Sequence, residues 1–178
     1  MEKSGITAAR TCSIPGMFFP EGCVKDRKRR EREKTMKLET FLQILEPGHL
    51  VRLDTGQEVE SAGVSDYEWM IPEDLLEREV TSVRCFIEPD DPGIRLVMET
   101  AIGNATRDRG CFLDDFLGIL TLEEEAEVHV RRGSEKLGHA SAQRIEAMLS
   151  NSVLDSSVER ISLDLNREWD LIMTVHIR

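Results

Sequence analysis

The chain has 178 residues, 40% hydrophobic and 32% charged, enough apolar material to bury a core and to exclude a wholly disordered polar tail. Its net charge of −11 is uneven: residues 1–35 hold nine Lys/Arg against five Asp/Glu, and the remainder holds 14 against 29. A body with a net charge of −15 excludes simple nonspecific binding of duplex DNA through that body.

Residues 1–24 carry glycines, prolines and small polar residues without period. A basic stretch follows, with Lys25, Arg27, Lys28, Arg29, Arg30 and Arg32. Arg27 with Glu31 and Arg29 with Glu33 are i,i+4 pairs, so the spacing fits a solvated helix in an otherwise flexible leader, 1–35. Such a leader is either merely exposed or a contact for a nucleic-acid backbone or an acidic partner. From Leu38 the pattern changes. Periodicity predicts a helix over 37–46, ended by Pro47 and Gly48, then a strand over 49–54 and a short second strand around Glu58-Val59-Glu60. Pro72 suits the first turn of a helix through Leu75 and Leu76. Strands over 80–87 and 94–99 flank the turn formers Pro89-Asp90-Asp91-Pro92-Gly93. Residues 101–110 read as a polar linker. Beyond it the pattern predicts a helix over 112–121, a strand over 126–131, a helix over 140–154 and strands over 158–165 and 171–177.

This order is two turns of one unit. Leu38, Phe41, Leu42, Ile44 and Leu45 return 75 positions later as Leu113, Phe116, Leu117, Ile119 and Leu120. Val51 and Leu53 match Val128 and Val130, and the glycines Gly56 and Gly133 follow in register. Val83, Cys85 and Ile87 align with Ile161, Leu163 and Leu165. Ile94, Leu96 and Met98 align with Leu171, Met173 and Val175, 77 apart. The expectation is an α+β fold of two similar lobes, 36–100 and 111–178, arising from an internal duplication. Each lobe would be a small sheet with an antiparallel component and one or two helices.

Catalytic signatures are missing: there is no GxSxG, HExxH, P-loop or GxGxxG. Cys12, Cys23, Cys85 and Cys111 form no CxxC, and His49, His129, His139 and His176 are scattered, so no metal site and no cofactor is expected. Cys85 falls on a core-facing strand position. With no signal-like or membrane-spanning run, the expectation is a reduced, cytoplasmic protein without enzymatic activity. The informative side chains are carboxylates. Glu58, Glu60, Asp66, Glu68, Glu73, Asp74 and Glu77 crowd the first unit. Asp90 and Asp91 sit at its hairpin tip, and Glu123, Glu124 and Glu125 open the second unit beyond Asp114 and Asp115. Tyr67 and Trp69, in an acidic context, suit an interface anchor or the edge of a core.

Leu75-Leu76-Glu77-Arg78-Glu79-Val80-Thr81-Ser82-Val83, after the Phe41-Leu42 helix and the Leu50–Leu53 strand, resembles a recurrent small protein of bacteria and phages. Its members carry one such unit, with an Asp-Arg-Glu-Val-like entry to a strand hairpin. Here Glu77 stands for the Asp, and the second copy, Asp155-Ser156-Ser157-Val158, departs further. In size, acidity and lack of catalytic motifs the chain is also similar to anti-CRISPR inhibitors. That resemblance implies a partner with a basic nucleic-acid channel, such as a Cas9-type nuclease with its guide RNA, blocked by an acidic surface standing in for DNA. It implies no small-molecule substrate and no membrane, in a monomer or homodimer. The second expectation is an interaction or structural module whose acidity serves only solubility.

Overall fold

The structure, a computed structural model, describes residues 36–60, 71–107 and 110–178. The basic leader with Lys25, Arg27, Lys28, Arg29, Arg30 and Arg32 lies outside the described residues, as do Asp66, Tyr67, Glu68 and Trp69. The first lobe contains α1 (Leu38–Gln43), β1 (Leu50–Leu53), β2 (Glu58–Glu60), α2 (Glu73–Leu76), β3 (Arg78–Asp90) and β4 (Gly93–Ala105). The second contains α3 (Leu113–Ile119), β5 (Leu120–Leu122), β6 (Glu127–Arg132), β7 (Glu135–Ser141), α4 (Ala142–Met148), α5 (Asn151–Leu154), β8 (Val158–Leu165) and β9 (Leu171–Ile177). This is an α+β fold with two sheet-containing lobes, each bearing helices.

The apolar stripe of α1 is buried at Leu38, Phe41 and Leu42, and that of α3 at Leu113, Phe116 and Leu117. Two helical turns cannot stand alone in water, so these helices persist because their stripe is covered. Alternation does the same for the strands: Val128 and Val130 in β6, and Leu171, Met173, Val175 and Ile177 in β9, point inward. One cluster of buried side chains runs through both lobes, from Met36 to Ile177.

The sheets are ordered β2-β1-β4-β3-β5 and β7-β6-β9-β8. In each, a hairpin (β1–β2, β6–β7) lies beside a second hairpin (β3–β4, β8–β9), joined through a parallel pair, β1 with β4 and β6 with β9. The turns of the first hairpins hold Gly56 at φ +85° and Gly133 at φ +58°, the left-handed conformation that glycine adopts without strain. Registers agree in detail. Val51 faces Met98 as Val128 faces Met173, and Val83 faces Thr100 as Ile161 faces Val175.

The lobes exchange segments. After α3, β5 pairs in parallel with β3, placing Leu120 beside Val83. After α1, residue 45 forms a parallel bridge with Ile161 of β8. Ile161 N donates to Ile44 O at 2.7 Å, and Glu46 N donates to Ile161 O at 2.9 Å. Each lobe therefore contributes backbone to the other's sheet.

Several sequence expectations change. The helices over 37–46 and 112–121 end at Gln43 and Ile119, because the chain leaves helical geometry to make these long-range pairings. The span 101–110, read as linker, is strand to Ala105, where β4 continues its pairing with the start of β3. The helix over 140–154 is two short helices divided at Leu149, which is extended at ψ 147°. The alignment of the final strands slips by two residues: paired against the first hairpins, Met98 matches Met173 and Thr100 matches Val175. A two-residue slip preserves the inward face, so apolar alternation could not detect it.

Candidate interaction surfaces

The predicted carboxylates divide into two groups. Among the described residues, four in the first lobe, Glu58, Asp74, Glu77 and Asp90, are matched by cations. Arg52 on β1 reaches Glu58 Oε1 at 2.6 Å and Glu88 Oε2 at 2.9 Å, a two-sided clamp across the outer face of the first sheet. Hydrogen bonding to Arg52 holds the Glu88 carboxyl below its usual range. Arg95 binds both carboxylate oxygens of Asp90, lowering the Asp90 pKa in the same way. Lys37 meets Glu77 at 2.6 Å, and Arg78 meets Asp74 at 3.6 Å. Arg84 lies over the Phe86 ring, 5.6 Å from its centroid. Glu58, Asp74, Glu77 and Asp90 are thus weaker candidates for a charged partner than the sequence implied. Glu60 lies on edge strand β2, and Asp91 sits in the two-residue turn between β3 and β4. Glu73 shares a concavity of about 390 Å³ with Glu39, Leu76 and Glu77.

The second group is different. Glu123, Glu124 and Glu125 form the turn between β5 and β6 and have no ion pair among the described residues. Glu124, Glu125 and Glu127 line a groove of about 880 Å³, whose other wall includes Arg144, Ala147 and Met148 from α4. Met148 is 62% exposed. Glu127 accepts a hydrogen bond from His129 Nε2 at 2.9 Å, which keeps its carboxyl ionised below the usual range. The His129 ring meets His139 edge-on, centroids 5.6 Å apart.

The same end of the second sheet carries Trp169. Register places Glu127 opposite Ile172, and the β8–β9 turn immediately precedes β9. Trp169 is 68% exposed and has φ +71°, a backbone conformation rare for a bulky side chain. The turn is fastened from within. Asn166 Oδ1 accepts from Glu168 N at 2.8 Å and Asp170 N at 2.9 Å, while Asn166 Nδ2 donates to Asp170. A tight turn that presents a large indole to solvent is suited to anchor a partner. Sequence reasoning missed Trp169, Glu127 and Met148. The available signal was a tryptophan inside a five-residue polar turn.

Burial pushes the Cys85 thiol far above its usual pKa, so it is not a nucleophile at neutral pH. Among the described residues no three His, Cys, Asp or Glu side chains are placed to hold a metal, and no helix is long and apolar enough to cross a membrane. Comparison of the chain with protein-family models, with curated proteins and with solved structures finds no match.

Proposed function

We propose that this chain is a non-enzymatic binding protein that docks its acidic end onto a basic surface of a nucleic-acid-handling effector and so inhibits it. The effector class proposed is a Cas9-type nuclease, whose basic channel holds nucleic acid. One observation carries the reading. Glu123, Glu124 and Glu125 remain without intramolecular cation partners among the described residues, at the end of the second sheet that also carries the exposed Trp169, whereas Glu58, Asp74, Glu77 and Asp90 of the first lobe each meet a cation within the chain. Unpaired carboxylates and an indole presented at one end of a sheet offer an arginine-bearing surface both a charged partner and a cation–π face. We further propose that the two lobes descend from one duplicated unit, a reading supported by matching strand order, register and segment exchange.

The test is target-DNA binding by a guide-loaded Cas9-type nuclease with increasing amounts of this protein. Inhibition that weakens steeply with salt is expected. Intermolecular inhibition that ignores salt would favour the second reading, an interaction module acting through apolar contacts. That reading draws on the internal ion pairs of the first lobe, which leave much of its acidity to serve solubility.

A further inference from the structure

The outer face of the second sheet is polarised along its strands. Glu127 and Asp164, both in register with Ile172, form its acidic end. Two residues further on, His139, His129, Thr174 and Ser162 form a second transverse row. Beyond it the registers set Lys136 beside Arg131, Arg131 beside His176, and His176 beside Arg160. Three cations, Lys136, Arg131 and Arg160, and the His176 imidazole thus occupy four adjacent strands of a chain with net charge −11.

We infer that this basic row is a binding site for the backbone of an extended single-stranded polyribonucleotide, lying across the strands of the second sheet. Three strand spacings of about 4.8 Å make the row roughly 14 Å long, suited to several phosphates in a line rather than to one. Like charges directly opposite one another are unfavourable in the free sheet, so an anion laid along them relieves a real repulsion. That repulsion reaches His176, whose pKa is lowered by burial and then by Arg160 and Arg131.

The cations are only partly satisfied within the chain. Arg160 meets Glu46 at 3.1 Å and stays half exposed. Arg131 donates one terminal N–H to the Ser134 carbonyl, while its buried Nε has no acceptor among the described residues. Lys136 is exposed and has no ion pair among the described residues. The neighbouring row favours a nucleic acid over an acidic protein. Imidazole rings can stack on unpaired bases, and the Thr174 and Ser162 hydroxyls can bond to phosphate or ribose. Single strands are favoured over duplex because the acidic end and the acidic body repel a denser phosphate lattice. The Glu127–Asp164 row confines the ligand to the basic half of the face. The basic row shares no residue with the groove lined by Glu124 and Glu125, whereas His139 and Glu127 of the neighbouring rows line that groove as well.

The probe is a fluorescein-labelled oligouridylate a dozen nucleotides long, titrated with the full chain and read by anisotropy. Three phosphate contacts predict a log–log salt slope of about −2, so affinity should fall roughly 20-fold from 50 to 200 mM salt. Lys136→Glu with Arg160→Glu should weaken binding at least tenfold. Arg131→Gln should weaken it as well, with circular dichroism confirming the fold. His129→Ala should weaken oligouridylate binding severalfold, whereas Glu124→Lys with Glu125→Lys should not weaken it at all. No binding at 50 mM salt would overturn the inference. Binding that survives Lys136→Glu with Arg160→Glu would overturn it too, by assigning the RNA to residues 1–35. Equal binding of polyglutamate, unaffected by His129→Ala, would overturn it in favour of an acidic protein partner.

Discussion

Thr100 and Val175 occupy matching positions, Thr100 opposite Val83 and Val175 opposite Ile161, and both are fully buried. The Thr100 hydroxyl has no hydrogen-bond partner among the described residues. Burying an unpaired hydroxyl costs roughly 1–3 kcal/mol, and valine has nearly the same shape. Thr100→Val should therefore stabilise the protein by about 1–2 kcal/mol. The backbone bond from Asp54 N to Thr100 O, 3.0 Å, is untouched by the change. The reciprocal Val175→Thr should cost a similar amount. With a urea m-value of about 2 kcal/mol/M, the midpoints should move by about 0.5–1 M in opposite directions. Equilibrium urea unfolding, followed by circular dichroism, reads both. An unchanged or lowered midpoint for Thr100→Val would mean that the hydroxyl is satisfied and that the registers are not energetically equivalent.

Because each lobe supplies a segment to the other's sheet, Phe41→Ala and Phe116→Ala should each cost roughly 3–5 kcal/mol on one shared transition. Two separate transitions in either variant would contradict the exchange. Arg52→Gln should flatten the acid limb of stability. The folded Glu88 pKa lies below its unfolded value near 4.5, so its contribution is present above that pH and lost as pH falls through the folded value. An unchanged slope of unfolding free energy between about pH 5 and pH 3 would refute the clamp. His49 Nε2 accepts the Leu163 amide at 3.1 Å, and burial lowers its pKa below 6.5. The unfolded state then takes the proton first, so this contribution is present above pH 6.5 and lost as pH falls below it. An NMR titration finding His49 protonated at or above pH 6.5 would contradict this.

The helices and most strands were legible because their burial is local and periodic. Leu38, Phe41 and Leu42 announce a helical face, and Met173, Val175 and Ile177 announce a strand, without knowledge of what covers them. What escaped reading depends on distant partners. Strand β7 has Gly138 and Ala140 at its inward positions, too small to announce an apolar face, and it holds because β6 pairs with it. The turn of chain after Ile44 looks helical and is not, because Ile161 captures its backbone. Charge was readable only as composition. Which carboxylates are neutralised depends on Arg52, Arg95 and Lys37 arriving from other elements, so Glu58 and Glu125 looked alike in sequence and differ in space. Trp169 was visible as a residue, but its exposure and positive φ belong to the turn.

Binding of a guide-loaded Cas9-type nuclease, compared between the native chain and the variant carrying Glu123→Lys, Glu124→Lys and Glu125→Lys, tests the central claim most directly. Surface substitutions of this kind usually shift stability by less than about 0.5 kcal/mol each, so any loss reports on the interface. The account predicts at least a tenfold loss of affinity at low salt, a smaller difference at high salt, and an independent loss for Trp169→Ala. Equal affinity of the native and reversed chains at both salt concentrations would contradict it.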